Sequence, residues 1–261
     1  MKLSNRTLKI LKNFSDINEN IVIRKNASEI STISMMKNIL SATLIEERFN
    51  NEIRLYDLRG FLKMYNTLSN PDIVNVDEDY IHIKSDDFFI KYRMCELSNL
   101  NYAKQEVNMP KKDNYSFKLS KNIINKIIKL CSSCYLPDVL FQANGSVLEC
   151  ILLDKKNPTT DEFTFTIQKT EEVYSAFLKI ENFKFIPADY NVTISSKLIS
   201  CFRNVDDEIT TYIALETDCI FNKSTIWKKS FISKKKIDEK INKLAIAYQK
   251  KLARLESLKV S

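Results

Sequence analysis

The fold is decided by an amphipathic pattern at the amino terminus, which reads MKLSNRTLKILKNF over residues 1–14. At about 100° per residue, its apolar side chains fall on one side of a helix, and its Lys, Arg and Asn side chains fall on the other. Ser4 stands at the start of the helical part, where its hydroxyl can accept a hydrogen bond from a free backbone N–H of the first turn. The stretch therefore predicts a helix with one buried face and one polar face.

The same pattern recurs 116 residues further along the chain. The segment KLS at residues 2–4 returns at 118–120, and FLK at residues 61–63 returns at 177–179. Two separated matches that share one offset indicate an internal duplication. The expected parts of the chain body are a first domain at 1–108, a polar connector at 109–113 and a second domain at 114–218.

Each copy is expected to hold two helices packed on antiparallel strands, which is an α+β arrangement. The first helices begin at Ser4 and Ser120, and the second helices begin near Asp57 and Thr170. Segments rich in β-branched and aromatic residues predict the strands. These segments lie at residues 20–24, 52–56, 80–84, 88–92, 139–143, 146–153, 163–168, 190–195 and 210–215. Asn144-Gly145, between two of these segments, predicts a β-hairpin.

The polar faces of the predicted helices are basic. On the first helix and on its repeat, Lys and Arg recur at spacings of three and four residues, and no acidic residue shares the face. A face that is merely solvated usually mixes both signs, because opposite charges at these spacings stabilise a helix. For any single helix, a solvated lysine face remains the competing interpretation. Two acid-free faces favour contact with DNA phosphates, which carry no base information, and the lack of interleaved aromatic residues argues against stacking on single strands.

The composition excludes several classes of protein. The chain has 261 residues, with 40 Lys+Arg against 33 Asp+Glu, a net charge of +7, 2 Gly and 1 His. Two glycines cannot form the loops that cradle nucleotide phosphates, and the single histidine, His82, leaves little room for a catalytic triad or a histidine metal site. The pair Cys131 and Cys134 lacks the second pair that a zinc site needs. No catalytic residue, metal or cofactor is therefore predicted.

The sequence also predicts an intracellular protein. No apolar run approaches the roughly 18 residues that span a bilayer, and the amino terminus lacks the apolar core and cleavage site of a signal peptide. The 6 Cys are scattered rather than arranged as a secreted disulfide framework. Acidic runs at 77–79, 86–87 and 206–208 are expected to be solvated loops rather than metal ligands, so a hydrolase or nuclease is disfavoured.

A set of short segments occurs in a recognisable order along the body. They are MKLS at 1–4, LKNF at 11–14, IN at 17–18, YDLRGFL at 56–62, Pro187 with Tyr190, and ALE at 214–216 with Asp218. Together they resemble the sliding clamp of T-even-type bacteriophages, the processivity factor of their DNA polymerase. The resemblance covers residues 1–218 in collinear order, and its strength lies in the combination of the segments.

The resemblance implies a DNA-clamp fold, in which three protomers close a six-domain ring and helices line a hole for duplex DNA. It implies binding without sequence specificity, since the closed ring stays on DNA while its contacts remain weak enough for sliding. It further implies three associations in the cytoplasm of an infected bacterial host: the C-terminal peptide of the replicative polymerase, an ATP-dependent clamp loader, and late transcription. The basic residues that it places on the inner surface are Lys2, Arg6, Lys9, Lys12, Arg59, Lys63, Lys121, Lys126, Lys129 and Lys179.

The segment 219–261 departs from the family, whose members usually end near Asp218. It carries 12 Lys+Arg against 3 Asp+Glu and the only Trp, Trp227, and its apolar residues from Ile237 to Leu258 predict an amphipathic helix. Three interpretations stay open: the apolar stripe packs on the protein's own sheets or on a neighbouring subunit, the helix docks a partner or forms a short coiled coil, or the lysines at 228–236 contact a polyanion. Membrane-surface binding also fits the pattern, but no lipidation signal supports it.

The charge of the chain is unevenly distributed. Subtracting the tail from the totals leaves 28 Lys+Arg against 30 Asp+Glu in the body, a net charge of −2. A slightly acidic body with basic helix faces fits a clamp with a positive hole and a negative exterior. The competing hypothesis is a DNA-binding or scaffolding module that uses the same faces without encircling DNA.

Overall fold

A computed structural model describes residues 1–104, 109–110, 114–206 and 208–221. The helices are α1 (Asn5–Ile17), α2 (Leu58–Thr67) and α3 (Lys121–Cys134), with short 3-10 turns at Leu97–Asn99 and Ile180–Asn182. The strands of the first half are β1 (Ile21–Ile23), β2 (Glu29–Ile33), β3 (Ile39–Leu44), β4 (Ile53–Leu55), β5 (Asp72–Val76), β6 (Tyr80–Lys84) and β7 (Phe89–Arg93). Those of the second half are β8 (Asn114–Leu119), β9 (Asp138–Asn144), β10 (Val147–Leu153), β11 (Phe163–Lys169), β12 (Val173–Lys179), β13 (Tyr190–Ser195), β14 (Ile199–Asn204), β15 (Thr210–Ala214) and β16 (Ile220–Phe221).

The paired helices α1 and α3 form because each has its own amino-terminal cap. Ser4 Oγ accepts a hydrogen bond from Thr7 N at 3.1 Å, and Ser120 Oγ accepts one from Ile123 N at 3.4 Å. Such a bond satisfies one of the backbone donors that the first turn leaves free. The predicted start of both helices and their 116-residue offset are confirmed.

Antiparallel sheets make up the rest of the body. Their strand orders are β2-β3-β15-β14-β13-β8, β11-β10-β9-β12-β16, β5-β6-β7 and β1-β4. The six-stranded sheet runs through both halves of the chain, since β3 pairs directly with β15. The α+β fold class is therefore confirmed, with the two halves joined by a continuous sheet.

Each half has its own apolar core under its helices. In the first half, α1 and α2 bury residues such as Phe14 and Phe61, and in the second half α3 buries Ile124 and Ile127. Where the two cores meet, each core includes side chains from the other half of the chain. Ile17 of α1 packs in the second core, whereas residues such as Ile186 of the second half pack in the first.

The second helix predicted near Thr170 does not form, and the structure corrects this expectation. Residues 173–179 are strand β12, which pairs with β9 along its whole length. The buried side chains alternate at Tyr174, Ala176 and Leu178, and this period of two is that of a strand. The FLK repeat therefore joins two unrelated positions, one in α2 and one in β12.

The predicted hairpin is confirmed, with its turn one residue later than expected. Ala143 pairs with Leu148, so Gly145 and Ser146 form the two-residue loop. Gly145 has φ 82°, a left-handed value that glycine adopts without the cost a Cβ would add. Asn144 Oδ1 accepts hydrogen bonds from Ser146 N at 3.0 Å and Val147 N at 3.1 Å. The asparagine thus fixes the turn from its edge.

The body continues to Phe221, three residues beyond its expected end. Strand β16 pairs with β12, and the Phe221 ring lies 5.9 Å from the Tyr115 ring. Residues 222–261 lie outside the described residues, so the predicted amphipathic helix, Trp227 and the lysines at 228–236 are not tested by the structure.

Candidate nucleic-acid interface

The helices and a large groove lie on opposite faces of the six-stranded sheet. In β2 and β3, Ile30 and Ile39 point to the cores beneath the helices, whereas their neighbours Glu29 and Leu40 line the groove. This opposition follows from strand geometry, because successive side chains point to opposite faces. We call the exposed surface of α1, α2 and α3 the helix layer.

In α1, the polar face is exposed as predicted. Lys9 and Lys12 are exposed, while Ile10, Leu11 and Phe14 are buried. The spacing of these lysines places both ammonium groups on the same side of the helix.

Two basic residues at the start of α1 also bind neighbouring segments. Lys2 Nζ donates to Asn70 Oδ1, and Arg6 donates from one guanidinium nitrogen to Leu44 O at 2.7 Å. These contacts fix the direction of both side chains beside the helix. Both acceptors are uncharged groups.

In α3, the predicted basic residues are likewise exposed. Lys121, Lys126 and Lys129 point away from the core, and their side chains form no ion pair within the described part of the chain. The backbone N–H of Lys121 donates to Asp189 Oδ1 at 2.7 Å, which satisfies a free donor of the first turn. The outer face of α3 therefore presents positive charge.

In α2, the two basic residues differ. Arg59 lies 3.4 Å from an Asp16 carboxylate oxygen and 3.5 Å from one of Glu19, and it donates to Ser15 O at 3.1 Å. It thus fastens α2 to the carboxyl end of α1 and neutralises acids there. Lys63, one turn further, is exposed and has no ion pair among the described residues.

Lys179 lies outside the helix layer, contrary to expectation, because it is part of β12. Its Nζ donates to Asp138 Oδ1 at 2.6 Å, and the Asp138 side chain is only 1% exposed. This hydrogen bond raises the pKa of Lys179, with the charges of Asp138, Glu216 and Glu181 adding to it. Lys179 is therefore the partner of a buried carboxylate.

A buried acid holds the start of α1 in place. Glu47 accepts hydrogen bonds from Ser4 N and Thr7 Oγ1, both at 2.6 Å. Burial alone would raise the pKa of Glu47, but the bonds from Ser4 and Thr7 together hold it below the usual value. A carboxylate at the amino-terminal end of α1 also interacts favourably with the positive end of the helix dipole. Sequence reasoning did not single out Glu47, because 40 residues separate it from Thr7.

The groove on the opposite face was also missed from the sequence. It has a volume of about 540 Å³. Its lining combines apolar and aromatic side chains with hydroxyl side chains: Val22, Leu40, Ala42, Tyr212, Ser31, Thr43 and Thr210. Charged residues at its rim are Arg24, Glu29, Lys104 and Glu208. Because these residues come from several separate segments, no local pattern could have revealed the groove.

Residues 101–104, which precede the connector, run along the rim of this groove. Arg24 donates to Lys104 O at 3.3 Å, and Asn101 N donates to Asn20 Oδ1 at 3.1 Å. Asn18 Nδ2 donates to Asn101 O at 2.8 Å, which ties this segment to the end of α1. The groove is thus bordered by the sheet on one side and by this anchored segment on the other.

The cysteine pair has a structural environment. Cys131 is buried in the second core, and burial raises its pKa to about 11. Within the described ranges, no group of three or more His, Cys, Asp and Glu side chains is arranged to hold a metal ion. In the same part of the chain, no helix is long and apolar enough to cross a membrane.

Comparison with known proteins confirms the predicted resemblance. No protein-family model matches the chain. The "Sliding clamp" of Vibrio phage KVP40 is 26% identical over 223 residues, which cover 83% of this chain and 99% of that protein.

Solved structures establish the DNA-clamp fold. PCNA of Thermococcus kodakaraensis superposes with a TM-score of 0.62 at 9% identity, covering 82% of this chain and 98% of that chain. A beta clamp of Helicobacter pylori bound to a DNA ligase peptide gives a TM-score of 0.62 at 15% identity, covering 80% of this chain. The chain spans 63% of that beta clamp and 64% of another from the same organism. The common feature is the arrangement of a few helices on antiparallel sheets.

Proposed function

We propose that this chain, which has the DNA-clamp fold and is similar to a phage sliding clamp over almost all of that protein's length, encircles duplex DNA and tethers the replicative polymerase. The observation that carries the proposal is the helix layer, where exposed lysines of both halves lie on the same side of one continuous sheet. The role is non-enzymatic and belongs to an infected bacterial cell.

The chemistry of the helix layer suits sliding. Lysine ammonium groups attract phosphate oxygens as point charges and read no base edges. Each contact is weak and exchanges readily with salt ions, so affinity falls steeply as salt rises. A closed ring does not need tight contacts to stay on DNA. The layer therefore guides the duplex without holding it in one register.

The ring is proposed to be a homotrimer closed by edge strands. Among the described residues, strands β7 and β11 lie at the edges of their sheets, so each has one side that no described strand pairs with. Such an edge readily adds a strand from another chain. We propose that β7 of one protomer pairs with β11 of the next. The number of three protomers comes from the resemblance to T-even clamps.

The groove is the proposed docking site for the C-terminal peptide of the polymerase. Its apolar residues, such as Leu40 and Ala42, can contact an apolar anchor residue, while the charged rim can orient polar groups of the peptide. Its position on the sheet face away from the helices lets a partner bind while DNA occupies the hole. The structurally similar Helicobacter pylori beta clamp is described with a bound ligase peptide. An ATP-dependent loader and a role in late transcription remain predictions from the resemblance.

The test combines mass with topology. Native mass spectrometry should give three protomers, and protein loaded onto circular DNA should remain bound in high salt while it slides off linear DNA. Charge reversal by K12E and K129E should weaken DNA retention, whereas K197E, in the exposed β13–β14 turn, serves as the matched control. A strict monomer, or equal loss from circular and linear DNA, would overturn the proposal in favour of a module that does not encircle DNA.

A further inference from the structure

The second half replaces its second helix with a loop. In the first half, α2 connects β4 to β5 and packs beside α1. At the corresponding point of the second half, the 3-10 turn Ile180–Asn182 and residues 183–189 connect β12 to β13. In the described part of the chain, three helices therefore form the helix layer, and this loop stands where a fourth helix would correspond to α2.

This loop is held firmly by its apolar residues. Phe183, Phe185 and Ile186 are buried, and the ring centres of Phe185 and Phe202 lie 4.7 Å apart. Tyr190 donates from its hydroxyl to Ile186 O at 2.7 Å. Because these side chains anchor the loop while Lys184, Pro187 and Asp189 are exposed, the loop has a defined outer surface.

The loop also contacts both first helices. Asn13 of α1 donates from Nδ2 to Lys184 O at 3.0 Å. At the other end of the loop, Asp189 accepts the backbone hydrogen bond from Lys121 at the start of α3. Lys184 is thus exposed beside Asn13 of α1, in a loop whose other end reaches the start of α3.

We propose that Lys184 contacts the DNA backbone and continues the basic surface across the position of the missing helix. This inference rests on the proposed clamp function. The backbone carbonyl of Lys184 accepts a hydrogen bond from Asn13, the residue that follows Lys12 in sequence. The Lys184 side chain forms no ion pair among the described residues. Its ammonium group would bind a phosphate oxygen as a point charge, without base recognition. Lys184 would make the contact with DNA that was predicted for Lys179.

Lysine footprinting of the full chain tests the assignment. The protein is treated with an amine-acetylating reagent with and without a short linear duplex, whose free ends a ring can pass, and acetylation of each lysine is measured by mass spectrometry. We expect DNA to slow acetylation of Lys184 as much as that of Lys12 and Lys129, and to leave Lys197 unchanged. Unchanged acetylation of Lys184 beside protected Lys12 and Lys129 would overturn this inference alone. If Lys12 and Lys129 were also unprotected, the proposed function itself would fail.

A matched pair of variants provides a second measurement. K184A should weaken binding to the duplex and reduce the slope of log affinity against log salt by about 0.9 for each phosphate that the variant no longer binds. K197A should leave both quantities at the wild-type value, and K184R should restore them because it keeps the positive charge. A wild-type slope for K184A, with a reduced slope for K129A, would also contradict the assignment.

Discussion

At the scale of single residues, the buried carboxylate of Asp138 determines the role of Lys179, which is far away in sequence. It accepts hydrogen bonds from Lys179 Nζ at 2.6 Å and from Lys155 N at 3.1 Å. A charge withdrawn from water in this way is tolerated while its partner is present, and its cost becomes visible when the partner is removed. The role of Lys179 is therefore set by its neighbour rather than by its own exposure.

Removing this partner should destabilise the fold. We expect K179A to lower the free energy of unfolding by about 3 kcal/mol, because it leaves the Asp138 charge buried and unpaired. Urea denaturation followed by circular dichroism measures the change. K156A, which truncates an exposed lysine in the β10–β11 connection, is the control and should unfold like the wild type. An unchanged urea midpoint for K179A would show that Asp138 does not depend on Lys179.

Glu47 should make stability sensitive to acid. The pKa of Glu47 is lowered in the folded protein from a reference value of 4.5. Its contribution to the free energy of unfolding is therefore complete above pH 4.5 and is lost as the pH falls through the lower pKa of the folded state. We expect the unfolding free energy of the wild type to decline below about pH 4.5 more steeply than that of E47Q. Urea titrations at a series of pH values test this. If the unfolding free energies of the two proteins declined equally with pH below 4.5, Glu47 would be excluded as a source of the decline.

At the scale of elements, local patterns predicted the helices whose starting residues are marked in the sequence by a capping serine. α1 and α3 combine a cap, a period of 3.6 and a basic face within one short continuous segment each, so no distant contact is needed to recognise them. Residues 173–180 are ambiguous in sequence, because Val173, Phe177 and Ile180 fit a helical spacing. Pairing with β9, about 35 residues earlier in the chain, decides for a strand, and this contact has no local signature.

The free edge of β7 yields a prediction about assembly. Ser85 N donates to Phe88 O and Met94 N to Asp79 O, so by antiparallel alternation the N–H of Lys91 points away from β6. K91P should remove this outward donor while preserving the pairing with β6, because proline is tolerated where an edge N–H faces outward. We expect a folded protein that sediments as a monomer in analytical ultracentrifugation.

The control for this prediction is K91A, which removes the lysine side chain and keeps the backbone donor. It should retain the mass of the wild-type assembly. If K91P kept that mass with an unchanged circular dichroism spectrum, β7 would not form the proposed contact between protomers.

At the scale of the whole molecule, sequence patterns predicted the basic helix faces but not the use of each charge. Lys12, Lys126 and Lys129 are exposed as expected, whereas Arg59 is neutralised by acids at the end of α1. The groove could not be predicted, because it arises only where separate strands meet the segment at 103–104. Local periodicity reports which way a side chain faces, but it does not report which charge lies opposite.

The direct pairing of β3 with β15 determines where the proposed ring can bend. Four residue pairs cross this junction, and Ser41 and Thr211 join their hydroxyls across it at 2.5 Å with both residues buried. Flexing a protomer at its middle would break these bonds and pull the interleaved cores apart. The two halves of residues 1–221 are therefore expected to move as one body. In the proposed ring, the contacts between protomers would then be the parts that open to admit DNA, while the helix layer of each protomer would keep its arrangement.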